Sequence, residues 1–110
     1  MTDRPAPAPS PADVLRLVEE CVAALNELLP AAERLAFSPT APLYDGSGAM
    51  DSLSLVNFIV IAEGKIKERF GVDAVLYREH TLENPAHPFR NVQAFAEHVR
   101  GAVAAAAPPA

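Results

Sequence analysis

Eleven prolines divide this 110-residue chain more sharply than any other feature. Proline locks φ and lacks an N–H, so helix interiors exclude it. Four prolines stand among the first eleven residues (Pro5, Pro7, Pro9, Pro11) and two near the end (Pro108, Pro109). We read these Pro/Ala-rich ends, 1–12 and 105–110, as disordered tails around one domain over 13–104. That length buries a single small core without staples and leaves no room for a second domain. The other five, Pro30, Pro39, Pro42, Pro85 and Pro88, interrupt the interior and leave long stretches free for helices.

Asp13 stands where an N-cap belongs, and Val14, Leu17, Val18, Cys21, Leu25 and Leu28 follow at three- and four-residue spacing, which predicts an amphipathic helix ending before Pro30. Residues 30–50 carry the turn formers Asp45-Gly46-Ser47-Gly48 and read as a long loop pinned by Leu35, Phe37, Leu43 and Tyr44. Asp51 to Phe70 holds no proline and one glycine, enough for a helix of about five turns that stops at Gly71. Val72 to Leu82 suggests a short extended piece and then one or two helical turns before Asn84-Pro85 and Pro88. Asn91 caps a last helix whose inner face is Val92, Phe95, Ala96, Val99 and Val103. The expected fold is an all-α four-helix bundle of three longer helices and a short one, with a long first loop.

Several functional classes are excluded at this level. One cysteine forms no intramolecular disulfide, and His80, His87 and His98 match no common zinc spacing. No uncharged apolar run reaches the length of a membrane span, and the start of the chain lacks the apolar region of a signal peptide, so a cytoplasmic location is expected. Fourteen acids against nine bases, with nothing more basic than Lys65, Lys67 and Arg69, offer no footprint for a phosphate backbone. Cys21 lies in the apolar stripe and is expected to be an inert buried thiol. His98 flanks the last helix's inner face as a packing residue, and Arg90 is placed to pair with an acid, cap carbonyls or meet a partner.

The informative stretch is Met50-Asp51-Ser52-Leu53-Ser54-Leu55-Val56-Asn57-Phe58-Ile59-Val60-Ile61-Ala62-Glu63. On a helical wheel Leu55, Phe58, Ile59, Ala62, Ile66 and Phe70 form one arc, sufficient to face a core. Val56 and Val60 lie beyond it, beside Ser52, Glu63 and Lys67. Periodicity alone favours burial of these valines under a second cover; the alternative is a docking surface next to Ser52. Asp51 and Ser52 at a helix start are both ordinary capping types. Ser52 nevertheless follows a Gly-rich turn and opens a long helix, where free N–H groups and the positive dipole end favour a phosphate ester on its hydroxyl. No histidine or other base near it in sequence marks it as a catalytic nucleophile.

Asp51-Ser52-Leu53, followed by Val56, Phe58-Ile59, Glu63 and Phe70-Gly71-Val72, resembles the acyl carrier protein family, whose attachment motif is Asp-Ser-Leu. The resemblance spans roughly 13–104 and implies an acyl-carrier-like helical bundle that is not an enzyme but a substrate of other enzymes. It implies that Ser52, flanked by Asp51 and Leu53, carries 4′-phosphopantetheine, donated by coenzyme A through a phosphopantetheinyl transferase. Val56, Val60, Glu63 and Lys67 are then the expected partner-binding residues. Two departures stand out: Gly64-Lys65-Ile66-Lys67 lengthens the central helix by about one turn, and the loop through Pro88-Phe89-Arg90 is longer. The Pro-Phe-Arg loop is similar to that of discrete bacterial carriers used with stand-alone acyl- or aminoacyl-activating ligases. The central helix is also less acidic than usual: residues 51–110 hold seven acids and six bases, whereas 1–50 hold seven and three.

The resemblance thus implies an acyl cargo held as a thioester for specialised lipid, polyketide or related biosynthesis, with a ligase or acyltransferase loading it and a synthase or transferase receiving it. An aminoacyl cargo loaded by an adenylating ligase would use the same residues. A helical interaction protein that keeps the fold unmodified is the third possibility, against which the retained Ser52 argues.

Overall fold

A computed structural model describes residues 9–45, 50–84 and 86–106. Of the expected tails, 1–12 and 105–110, residues 1–8 and 107–110 lie outside the described residues, as do 46–49 of the Gly-rich turn and Pro85, whereas Pro11, Ala12, Ala105 and Ala106 are helical rather than tail. Three α-helices form among the described residues: α1 (Pro11–Asn26), α2 (Ser52–Phe70) and α3 (Val92–Ala106). A single 3-10 turn at Ala31–Glu33 interrupts the first loop, and no strand forms among the described residues.

Helix α1 is capped three residues before the expected Asp13. Ser10 is the cap, its hydroxyl accepting the Asp13 N–H at 3.1 Å, and Pro11 occupies the first turn, where its missing N–H costs nothing. The helix ends at Asn26, so Leu28 falls outside it and is exposed rather than part of the stripe. The Arg100 guanidinium donates through Nε to the Pro9 carbonyl at 3.1 Å and ties the chain before α1 to α3. Helix α1 packs against both other helices, which meet each other through Phe58 and Phe95, their ring centroids 4.8 Å apart. The core joins Leu17, Val18, Cys21 and Leu25 to Phe58, Ala62 and Ile66 and to Phe95 and Val99. All five residues expected on the inner face of α3 are buried, and Asn91 Oδ1 accepts the Ala94 N–H at 2.8 Å as its cap.

The long first loop is anchored at both ends. Asn26 holds Leu35 by both backbone groups, donating to its carbonyl at 3.0 Å and accepting its N–H at 2.7 Å. Farther along, Leu43 and Tyr44 donate to the carbonyls of Arg90 and Phe89, while Val92 and Gln93 donate to those of Ala41 and Pro39. Those four bonds lash the loop to the approach of α3 and so position the start of α2. Leu35 and Leu43 are buried anchors and Tyr44 is half-buried, but Phe37 is exposed and anchors nothing.

The short fourth helix is absent. From Val72 to Tyr77 side chains alternate, with Val72, Ala74 and Leu76 buried and Asp73, Val75 and Tyr77 exposed. Alternation of period two is what an extended chain provides, and β-branched Val72 and Val75 favour it. Beyond it come separate turns: Thr81 donates to the Arg78 carbonyl and Glu83 to that of His80. The Thr81 hydroxyl also accepts the Arg78 N–H at 2.7 Å, which closes the first turn on itself instead of extending it. The described residues therefore make an all-helical fold of three helices, with an extended segment where the fourth was expected.

Candidate functional site

The site begins with the cap of α2. Asp51 is extended (φ −88°, ψ 176°), and its carboxylate accepts the Ser54 N–H at 2.7 Å. This bond, the Ser54 hydroxyl and the Leu53 N–H hold the Asp51 carboxyl below its ordinary value near 3.8, with desolvation opposing. Asp51 is thus committed to the cap, and Ser54 is buried beneath it. Ser52, the first residue of the helix, is exposed. Its hydroxyl sits on a 19-residue helix with Lys67 and Arg69 in the last turn and, apart from the capping Asp51, no acid at the positive dipole end. At the far end Gly71 adopts a left-handed conformation (φ 71°) and donates to the Lys67 carbonyl at 3.0 Å, as expected from the sequence. A cleft of about 350 Å³ between the 3-10 turn and this helix start is lined by Leu29, Arg34, Leu35, Pro42, Asp51 and Ser54.

Burial of Val56 and Val60, which periodicity favoured, does not occur. They are 55% and 65% exposed, and Leu53 is 70% exposed. Leu55, Phe58, Ala62 and Ile66 of the expected arc are buried in the core and Ile59 and Phe70 pack against it half-buried, while Leu53, Val56 and Val60 stay exposed. Leu53, Val56 and Val60 fall within about 60° of one another at 100° per residue and make a bare apolar stripe running away from Ser52. Gly64 continues the exposed side, and a Cβ there would meet nothing within 4 Å.

The two charged residues expected on this side behave differently from each other. Glu63 is half-buried, and its Oε2 accepts the Leu76 N–H at 3.1 Å, so it is turned into the fold rather than presented with the valines. Lys67 is exposed and pairs with Asp73 at 3.2 Å, not with Glu63. The sequence reading missed Asp73, and it missed that Val75 and Tyr77 add exposed apolar surface on the segment passing Glu63. The alternation of Val72, Asp73, Ala74, Val75, Leu76 and Tyr77 was the available signal.

The remaining candidates are structural. Cys21 is fully buried and its thiol is pushed up to about 12 by desolvation. Arg90 caps carbonyls, donating through Nη1 to those of Ala86 and, at 2.9 Å, His87. Phe89, between Pro88 and Arg90, is fully buried against Phe95, with ring centroids 5.4 Å apart. His98 Nε2 donates to the Leu76 carbonyl at 2.7 Å, and its ring meets Phe89 edge-on. Comparison of the chain with known proteins finds no matching family model, no matching curated protein and no matching solved structure.

Proposed function

We propose that this chain is a carrier protein whose Ser52 accepts 4′-phosphopantetheine from coenzyme A under a separate phosphopantetheinyl transferase. The observation that carries the reading is an exposed serine hydroxyl at the first position of a long helix, bordered by the bare stripe Leu53, Val56 and Val60. A hydroxyl at that place suits a phosphodiester, because the adjoining backbone N–H groups and the dipole favour negative charge. The donor chemistry fits the group: Asp51 is drawn aside into the cap, so its carboxylate does not compete for the hydroxyl. In the transfer, Ser52 Oγ bonds to the phosphorus bearing the pantetheine, the pyrophosphate bond of coenzyme A breaks, 3′,5′-adenosine diphosphate leaves, and the hydroxyl proton passes to the transferase. The attached group supplies a terminal thiol that holds an acyl cargo as a thioester.

The protein's own residues supply the address. Leu53, Val56 and Val60 meet the transferase, the loading ligase or acyltransferase, and the receiving synthase by apolar contact, with Lys67 at the edge of that surface. The Asp-Ser-Leu motif of residues 51–53 supports the same reading. The test is intact mass after incubation with coenzyme A, magnesium and a broad-specificity transferase. The expected result is one phosphopantetheine per chain for the wild type and none for Ser52→Ala. An unmodified wild type beside a fully modified control carrier would overturn the proposal and favour an unmodified interaction protein.

A further inference from the structure

The extended segment 72–77 runs between α2 and α3 as a strap with no partner strand among the described residues. Leu76 inserts its side chain into the core, 1% exposed, together with Val72 and Ala74. A strand in a sheet satisfies its backbone through a ladder, but within this segment only Leu76 has hydrogen-bonded backbone groups among the described residues. Both of its groups are taken, and by side chains of different helices. Glu63 of α2 accepts the Leu76 N–H at 3.1 Å, and His98 of α3 donates to the Leu76 carbonyl at 2.7 Å. His98 is itself steadied by the edge-on contact with buried Phe89 at 5.9 Å.

On the side facing α3 the strap is loosely backed. A groove of about 500 Å³ separates it from α3, bordered by Val75, Arg78, His98, Gly101, Ala102 and Ala105. Small residues on the helix side leave the strap without close packing there; burial of Val72, Ala74 and Leu76 and the Lys67–Asp73 pair hold its side chains, while among the described residues its backbone is hydrogen-bonded at Leu76 alone. A sheltered amide and carbonyl are costly to leave unpaired, which makes the two side chains decisive for the closed position.

We propose that Glu63 and His98 form a clasp: they are positioning residues that hold strap 72–77 shut, and the strap lifts as one unit, independently of α1, when the clasp is released. The clasp explains why Glu63 turns inward instead of joining the exposed stripe, and why an extended chain persists without a sheet. It also places Val75 and Tyr77 outward on the strap, so release of the clasp would remove them from that position. The inference is independent of any modification at Ser52.

Amide hydrogen exchange followed by NMR on the full, unmodified chain tests it. In the wild type the Leu76 amide is expected to exchange at least about tenfold more slowly than those of Val75 and Tyr77. Glu63→Ala and His98→Ala should each raise Leu76 exchange about tenfold while the α1 amides from Leu17 to Val22 keep their rates. Glu63→Gln and His98→Gln, which retain an acceptor and a donor, should restore most of the protection. Leu76 exchanging as fast as its neighbours in the wild type would overturn the clasp. So would alanine variants that leave Leu76 unchanged or speed α1 equally, or glutamine variants no better than alanine. If an alanine variant does not fold, the wild-type profile and the glutamine variants decide alone.

Discussion

Asp51 and His87 each accept a backbone N–H in the folded protein, so acid should loosen the fold at two points and in two pH ranges. The Asp51 carboxyl is held below its ordinary value near 3.8 by the Ser54 and Leu53 donors, and its contribution is therefore present above that value and lost as pH falls through the lowered one. Asparagine caps as well without titrating, so Asp51→Asn should flatten the acid limb of a denaturation series below about pH 4, whereas Asp51→Ala should lower the midpoint at neutral pH. His87 Nδ1 accepts the Phe89 N–H at 3.1 Å. Burial, then the Arg90 guanidinium, hold its pKa below 6.5, with Asp45 opposing. The unfolded chain thus takes up the proton first, and stability should begin to fall as pH drops through about 6.5, the loss being complete below the lowered value. Urea midpoints at pH 7 and pH 5 check this: the wild type should lose more than His87→Gln. Cys21, its thiol raised to about 12, should resist iodoacetamide at pH 8 and react on unfolding in urea. Caps and stops were legible residue by residue because they are local: Asp51, Gly71 and Asn91 act within three or four positions of themselves. Glu63 was not, because its partner Leu76 lies 13 residues away on a segment of another shape.

Helix α2 was the most legible element and also the one whose surroundings were least so. Its length, its cap, its stop and its core arc follow from a period of 3.6, but whether anything covers Val56 and Val60 depends on elements elsewhere in the chain. Periodicity leaned towards a second cover, and no described element supplies one. The start of the first helix was displaced by three residues for a smaller reason, Ser10 and Pro11 being a better start than Asp13. Because Val56 and Val60 are more than half exposed, Val56→Asp or Val60→Asp should cost less than about 1 kcal/mol in folding stability, against several for a charge forced into a core. The same changes should slow phosphopantetheine transfer or cargo loading about tenfold or more, as removal of an apolar docking anchor does. Circular dichroism and transfer rates on the same samples separate the two effects. Gly64 is a cleaner probe of the helix alone: Gly64→Ala meets open space and should stabilise α2 by about 0.5–1 kcal/mol, read as a higher denaturant midpoint at unchanged slope.

At the scale of the whole molecule, charge and apolar surface are segregated. The net charge is −5, yet the stripe beside Ser52 carries little of it. Glu63 is spent on Leu76, and Lys67 is paired with Asp73. Steering over distances beyond a Debye length of about 8 Å at physiological salt should therefore be weak, and loading by the native partner should change no more than about threefold between low and moderate salt. A hundredfold fall would show that acids elsewhere on the surface guide docking. The all-helical class and the core of α1, α2 and α3 were readable from spacing and proline placement, while the strap and the lashing of the first loop to residues 89–93 were not, being made by contacts between distant segments. The account rests finally on one hydroxyl. Tandem mass spectrometry of the peptide spanning Met50 to Lys65, after treatment with coenzyme A and transferase, examines it directly. The predicted result is a single phosphopantetheine on Ser52, with buried Ser54 unmodified. A group found on Ser54 or on another residue, or an unmodified peptide beside a modified control carrier, would contradict it.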